Sequence, residues 1–209
     1  VGYTDGTFGP SRSMTRAEAA AIFARLLAEK NGDTISTAAN TKFADIPAHA
    51  WYSGYVKYLS NNGITYGKSK TIFAPNDAIT RAEFTTMAVR FFDVYGDGDA
   101  EIMEQFSGFN DVSSGYWAAE YIKYAALHGW INGYGDGSFH AEREINRAEV
   151  VTIVNRLLGR EADEDYIADN LRKLNTFSDM SKRHWAYYAV MEAANAHTAV
   201  LGENESWSK

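Results

Sequence analysis

Three arginines occupy the same place in a repeated four-residue motif, each directly after a residue that can cap a helix. The motif reads Thr-Arg-Ala-Glu twice and Asn-Arg-Ala-Glu once, and its arginines are Arg16, Arg81 and Arg147. A cation at the first position of a helix faces the positive end of the helix dipole, which is mildly unfavourable. An arginine beside unpaired backbone N–H groups is, however, a receptor for a carboxylate or a phosphate. Two roles therefore stay open here: anion binding, or a salt bridge to a neighbouring aspartate.

Two further motifs recur in the same order along the chain. One is Phe-x-Asp with a tryptophan six residues after the aspartate; its members are Asp45, Asp111 and Asp179, the candidate salt-bridge partners, and Trp51, Trp117 and Trp185. The other is a loop that ends in phenylalanine and begins at Gly2, Gly67 and Gly133. The three motifs share a period of about 66 residues, which indicates a chain built from structural repeats.

The segments that must position these residues have the pattern of amphipathic helices. After each arginine motif, apolar residues recur at the i, i+3, i+4 and i+7 spacing, and a second such segment starts at each tryptophan. The residue before each arginine and the glutamate after it have the spacing of a capping box, in which each side chain accepts a backbone N–H group. These pairs are Thr15 and Glu18, Thr80 and Glu83, and Asn146 and Glu149. The sequence therefore predicts an all-α fold with little sheet.

The chain begins in the middle of one repeat and ends in the middle of another. The predicted half-units are residues 2–27, 43–92, 109–158 and 177–201, and the connectors, interpreted as linkers or peripheral turns, are residues 28–42, 93–108 and 159–176. Because the two terminal halves are complementary, we expect the C-terminal half-repeat to pack beside the N-terminal one. Residues 1–209 would then form a single domain with pseudo-threefold symmetry.

Composition and motifs exclude several classes of function. The 27 acidic residues outnumber the 20 Lys and Arg, which leaves a net charge of −7 and no generic basic surface for nucleic acid. Without cysteine there is no thiolate metal site or cysteine nucleophile, and no apolar run is long enough to span a membrane. Residues 1–6 lack the features of an export signal, so we expect any such signal to lie outside this sequence or to have been removed.

No cofactor, metal or catalytic site is predicted. The chain lacks the common catalytic and nucleotide-binding motifs, and three copies of the same residues are a poor basis for one asymmetric catalytic site. The five histidines do not cluster. An acidic segment at residues 97–101 resembles part of a calcium loop but lacks the distal glutamate, so a solvated linker is the better interpretation.

In their order and period, these motifs resemble the S-layer homology domain of bacterial surface proteins, and the resemblance covers nearly the whole chain. The resemblance implies a three-pronged, pseudo-trimeric helical module on the cell surface, outside the cell. It also implies non-covalent anchoring, to the cell wall, of the remainder of a surface protein or S-layer. The ligand it implies is a secondary cell-wall polysaccharide, often one that carries pyruvylated N-acetylmannosamine.

The same resemblance implies roles for the repeated residues. Arg16, Arg81 and Arg147 would bind the pyruvyl carboxylate, the three aspartates would accept hydrogen bonds from sugar groups, and the three tryptophans would form a wall for a sugar ring. The loop glycines would let the ligand approach the backbone. From the residues alone, a core position for the tryptophans and a turn or cap role for the aspartates stay open. The middle loop, with Lys68 to Thr71 in place of Tyr-x-Asp-Gly, predicts a groove of different shape and charge.

A second function is compatible with the sequence. The same grooves and the 13 tyrosines would also suit a protein–protein module that assembles a surface lattice without binding glycan directly.

Overall fold

The computed structural model describes residues 2–96, 106–200 and 206–208, and the elements in this part are almost entirely helical. The α-helices are α1 (Arg16–Asn31), α2 (Ser53–Asn61), α3 (Arg81–Tyr95), α4 (Ala119–Leu127), α5 (Arg147–Leu157), α6 (Glu164–Asn170) and α7 (Tyr187–Ala194), with a 3-10 turn at Leu171–Lys173. The strands β1 (Thr198–Val200) and β2 (Ser206–Ser208) form one antiparallel pair. The predicted all-α class is confirmed.

The three helices that follow the arginine motifs all begin with a capping box. At α1 the hydroxyl of Thr15 accepts the N–H of Glu18, and a carboxylate oxygen of Glu18 accepts the N–H of Thr15 at 2.8 Å. The same reciprocal pair opens α3 and α5. These bonds satisfy backbone donors that the first helical turn leaves without an intrahelical partner, and they explain why the three helices start at equivalent positions.

The second helix of each repeat begins two residues later than the sequence pattern predicts. Helices α2, α4 and α7 start at Ser53, Ala119 and Tyr187, so each tryptophan lies in the turn that precedes the helix. In the first of these turns, the N–H of Ser53 donates to the carbonyl of Ala50 at 2.9 Å. The tryptophan is therefore not part of the apolar stripe that the helix buries.

The described chain divides into two compact units. Residues 13–145 form one unit, in which α1 packs on α2 and α3, α3 packs on α4, and the rings of Phe23, Phe84 and Phe91 meet in the core at 5.0–5.3 Å. Residues 1–12 and 146–209 form the other, in which α5 packs on α7. In each unit an arginine-motif helix packs against the tryptophan-motif helix that follows it in the chain. The pseudo-threefold arrangement of a single domain stays a prediction.

The last connector is more ordered than predicted. The sequence favours a linker or turn over residues 159–176, but this segment contains α6, which Asp163 caps by accepting the N–H of Tyr166 at 2.8 Å. Ile167 of α6 is buried beside Val190 and Met191 of α7. The prediction was wrong here because one buried isoleucine and one cap stabilise a helix too short to show a clear period. The acidic segment 97–101 lies outside the described residues.

Candidate functional site

Each aspartate of the Phe-x-Asp motif accepts hydrogen bonds from the backbone of a motif loop. For Asp45 and Asp111 this is the loop that follows in the chain, and for Asp179 it is the loop at the N-terminus. The two carboxylate oxygens of Asp111 accept the N–H groups of Phe139 and His140, both at 2.7 Å. Asp45 binds the N–H groups of Phe73 and Ala74 in the same way, and Asp179 those of Phe8 and Gly9. The aspartates therefore have the turn role that the residue types left open. A contact between these aspartates and a sugar stays a prediction.

These bonds make the fold sensitive to acid. Burial alone would raise the pKa of Asp111, but the N–H groups of Phe139 and His140 outweigh it and hold that pKa below its usual value of 3.8. The pKa of Asp179 is lowered in the same way by Phe8 and Gly9. Because both pKa values are lower in the folded state, the stabilisation is complete above about pH 4 and disappears as the pH falls through the folded pKa.

We therefore expect an Asp111→Asn variant to be about 1–2 kcal/mol less stable than the parent chain at pH 7, because its one amide oxygen can accept only one of the two N–H groups and its NH2 group, a donor, faces the other. The difference should shrink progressively below about pH 4, where the parent carboxylate becomes protonated. Urea unfolding at a series of pH values measures both free energies. A difference that stays constant from neutral pH to well below the folded pKa would contradict the assignment.

The loop glycines are required by a phenylalanine ring. A Cβ atom on Gly133 would lie 2.5 Å from the ring of Phe109 and 2.6 Å from the carbonyl oxygen of Ser138. Gly67 and Gly2 meet the rings of Phe43 and Phe177 in the same way, at 2.4 and 2.3 Å. Distances this short leave no room for a side chain, so packing against the Phe-x-Asp motif accounts for these glycines. A ligand contact at the same glycines stays a prediction.

The motif arginines hold the other side of the same loops. Arg16 is only 4% exposed; its Nε donates to the carbonyl of Phe73 at 2.7 Å, and its Nη1 lies 3.0 Å from Oε1 of Glu83. The Nε of Arg81 donates to the carbonyl of Phe139, and that of Arg147 to the carbonyl of Phe8. For Arg16, the salt-bridge partner is thus the glutamate of the next capping box and not the expected Asp45.

The backbone N–H groups beside these arginines are already paired. The N–H of Arg16 donates to the carbonyl of Asp77 and that of Ala17 to the carbonyl of Pro75, both at 3.0 Å. The corresponding N–H groups of α3 and α5 donate to loop carbonyls in the same manner. The premise of an anion receptor built from unpaired helix N–H groups was therefore wrong, because the loop after each phenylalanine supplies carbonyl acceptors at that position.

The tryptophans are exposed. Trp51 and Trp117 retain 56% of their accessible surface, and Trp185 retains 63%. A core role, which the residue types had left open, is wrong because each ring lies in the turn before its helix. Three large aromatic faces, one in each repeat, are thus available to a ligand.

A cleft of about 390 Å³ opens in the unit formed by residues 13–145, and residues from all three sequence repeats line it. Its lining residues are Arg16, Ile64, Thr65, Tyr66, Gly67, Lys68, Thr80, Glu83, Thr86, Met87, Arg90, Trp117 and Glu142. The cleft thus joins one motif arginine, one loop glycine and one exposed tryptophan. Three cations and two carboxylates line it, and a third carboxylate, that of Asp77, is paired with Lys68 at 2.8 Å.

Sequence reasoning missed Arg90, Thr86 and Tyr66, which are polar or aromatic residues of this cleft. A signal for Arg90 was present, because an arginine stands nine residues after the motif arginine in every repeat; the other two are Arg25 and Arg156. On a helix this spacing places the second arginine about two and a half turns further along.

Residues 2–96, 106–200 and 206–208 contain neither a cluster of metal-binding side chains nor a membrane-spanning helix. In that part of the chain, no group of three or more His, Cys, Asp and Glu side chains is placed to bind a metal ion. No helix there has both the length and the apolar character needed to cross a bilayer.

Comparison with known proteins agrees with the motifs. The sequence profile of the S-layer homology domain matches residues 1–20, 42–85 and 108–151, just over half of the chain. Cell surface glycoprotein 1 of Acetivibrio thermocellus is 33% identical over 98% of this chain, and the cellulosome-anchoring protein of the same organism is 31% identical over 97% of it. The surface-layer 125 kDa protein of Lysinibacillus sphaericus is 32% identical over 75% of it.

The chain spans only 9%, 43% and 13% of the lengths of these three relatives, so it corresponds to one module within larger surface proteins. The profile match covers all three arginine motifs together with the first two Phe-x-Asp motifs and their tryptophans. The chain therefore belongs to the S-layer homology domain family and is located at the bacterial cell surface.

Proposed function

We propose that this chain is a non-catalytic module that anchors a surface protein to the bacterial cell wall by binding an anionic secondary wall polysaccharide. The observation that carries the proposal is the cleft of residues 13–145, which combines the exposed ring of Trp117 with the guanidinium groups of Arg16 and Arg90. The relatives named for cellulosome anchoring and for surface layers support the anchoring role. A pyruvylated N-acetylmannosamine is the sugar we propose as the anionic group.

The three tryptophans are the proposed sugar contacts. A flat, exposed indole offers a large apolar face at a small cost in side-chain entropy, and a sugar ring has an apolar face to place on it. Trp51, Trp117 and Trp185 occur once in each repeat, which matches a polymer of repeating sugars. In this proposal the motif arginines, the aspartates and the loop glycines shape the binding surface, and Arg16 also lines it.

The net charge of −7 adds a physical condition. An acidic module gains no long-range attraction toward an anionic polymer, so affinity must come from local contacts inside a cleft. We therefore expect binding to depend only weakly on ionic strength, in contrast to binding by a basic surface patch.

Co-sedimentation with purified wall sacculi tests the proposal. The chain should sediment with intact sacculi and stay in solution after the secondary polymer has been extracted from them. A variant with Trp51, Trp117 and Trp185 all replaced by alanine should lose about tenfold or more in affinity, because stacking on aromatic rings contributes about 0.5–1.5 kcal/mol at each site. Its thermal unfolding should change little, because all three rings are exposed.

The exposed aromatic residues also suit a protein-docking surface, which is the second candidate function. Sedimentation that persists after polymer extraction would contradict glycan binding and favour a protein partner. The same experiment therefore separates the two functions, because the two sacculus preparations differ in the secondary polymer.

A further inference from the structure

We propose that Asn132 is a site of spontaneous deamidation and that Arg81 accelerates the reaction. Asn132 directly precedes Gly133, the glycine of the third motif loop. Before a glycine, the backbone nitrogen of the next residue can approach the asparagine side chain without obstruction, because glycine has no Cβ. The reaction needs no glycan and is independent of the proposed function.

Water and a base from the solvent are the only co-reactants of this modification. The nitrogen of Gly133 gives its proton to the base and forms a bond to Cγ of Asn132. The bond from Cγ to the side-chain nitrogen breaks, and that nitrogen leaves as ammonia. Water then opens the cyclic imide at either of its carbonyls. The product is aspartate or isoaspartate, and nothing is oxidised or reduced.

The chain contains three Asn-Gly pairs, and hydrogen bonds hold the other two, Asn31-Gly32 and Asn62-Gly63. The N–H groups of these two glycines donate to carbonyls of the helices that precede them, at 3.3 and 3.4 Å. The side-chain amides of Asn31 and Asn62 both donate to Tyr58, one to its hydroxyl at 3.3 Å and one to its carbonyl at 2.9 Å. In both pairs the attacking nitrogen and the amide under attack are therefore already engaged.

The pair at Asn132 has a different environment. Both Asn132 and Gly133 are exposed, so water and base reach them. Among the described residues, no acceptor forms a hydrogen bond with the N–H group of Gly133. The proton that must leave is therefore open to solvent in this pair.

Arg81 acts on the same peptide group from its other side. Its Nη2 donates to the carbonyl oxygen of Asn132 at 3.2 Å, and that oxygen shares one peptide group with the nitrogen of Gly133. Resonance spreads charge over the oxygen and the nitrogen of a peptide group. A cation on the oxygen therefore stabilises the negative charge that develops when the nitrogen loses its proton.

The guanidinium of Arg81 is also fixed in place. Arg81 is 5% exposed, its Nε donates to the carbonyl of Phe139 at 2.9 Å, and its guanidinium lies 4.5 Å from the ring centre of Phe139. Because it is buried, water and salt screen its charge weakly. Because it is already positioned, no rearrangement has to precede the reaction.

The product changes the third motif loop. Isoaspartate passes the backbone through the former side chain and so adds a methylene group just before Gly133. A Cβ on Gly133 would lie 2.5 Å from the ring of Phe109, so this part of the loop has little room to adjust. Aspartate instead places a new carboxylate beside the peptide group that Arg81 contacts.

The test is to incubate the whole chain at mildly alkaline pH and to follow the three Asn-Gly peptides by digestion and mass spectrometry. In the folded chain, Asn132 should react about tenfold or more faster than Asn31 or Asn62, because two hydrogen bonds must open at each of those sites. In guanidinium chloride the three rates should converge. Asn132 should also react at least as fast in the folded chain as in the denatured one.

An Arg81→Gln variant tests the role of the cation. Its rate at Asn132 should fall about threefold or more, because the charge-assisted hydrogen bond to the peptide oxygen is lost. The rates at Asn31 and Asn62 in the same sample report on folding and should stay unchanged. The matched control is Arg16→Gln, which removes the equivalent buried cation of the first repeat and should leave the rate at Asn132 unchanged.

Either of two results would overturn the proposal. One is a parent chain in which Asn132 reacts more slowly when folded than in guanidinium chloride. The other is a folded Arg81→Gln variant with the parent rate at Asn132. If rising rates at Asn31 and Asn62 show that Arg81→Gln has unfolded, the comparison of folded and denatured parent chain decides the outcome.

Discussion

Replacement of Arg16 by alanine is expected to lower the free energy of unfolding by about 3 kcal/mol in the absence of any ligand. The substitution removes a buried guanidinium and leaves the carbonyl of Phe73 and the carboxylate of Glu83 without their partner. The Phe73 carbonyl and Oε1 of Glu83 then lose the donor that compensates their burial, although Oε2 of Glu83 still accepts the N–H of Thr80. Urea unfolding followed by far-ultraviolet circular dichroism measures the difference.

The matched control is Arg90→Ala, which removes the same type of side chain from a half-buried position on α3. Because Arg90 has no ion-pair partner among the described residues and its hydrogen bonds are to one tyrosine hydroxyl, we expect this variant to lose less than about 1 kcal/mol. Equal stability of Arg16→Ala and the parent chain would refute the structural role of Arg16.

This prediction affects how binding data on the motif arginines are understood. An Arg16 variant is expected both to be less stable and to lack one of the side chains that line the cleft. Either change could explain a loss of wall binding. Affinity should therefore be compared between Arg16 and Arg90 variants only at a temperature where both are folded.

Replacement of Gly67 by alanine is the second substitution with a large expected effect, a loss of about 3 kcal/mol. The backbone at Gly67 has φ +82°, where a side chain costs about 1 kcal/mol or more. The added Cβ would also lie 2.4 Å from the ring of Phe43 and 2.6 Å from the carbonyl oxygen of Ile72. Such overpacking adds about 1–3 kcal/mol, because ring and backbone must both move.

Gly6 offers a close control for this substitution. Its φ is +81°, almost the same as that of Gly67, but no described atom lies within 4 Å of the position its Cβ would take. Gly6→Ala should therefore lose only the conformational part, about 1 kcal/mol. Thermal or urea unfolding of the two variants separates backbone conformation from close packing, and equal losses would contradict the packing role of Gly67.

Several features of the fold could be predicted because they depend on residues close together in the chain. The capping boxes need only Thr15 and Glu18, three positions apart, and the same holds for the other two helices. The helical period and the repeat are likewise local or periodic properties. The short helix α6 was missed because its stability comes from Ile167 packing on α7, a contact that no nearby residue reveals.

The candidate site was predicted less completely, and the reason is again physical. The sequence indicated which residue types recur, but not which polar groups form hydrogen bonds or ion pairs with one another. The N–H groups at the start of α1 were known donors, but their acceptors, the loop carbonyls of Pro75 and Asp77, come from a distant part of the chain. The exposure of Trp117 depended on a shift of only two residues in the start of α4.

The sequence by itself therefore determined the three repeats, the starts of the capped helices α1, α3 and α5, and the family, because repetition and capping depend on residue spacing. Only the tertiary structure decided which arginines form an ion pair with a carboxylate. Arg16 and Glu83 are 67 positions apart, and their ion pair exists because two helix starts meet in the folded chain. Arg90 has no such partner among the described residues, and it lines the cleft together with Trp117.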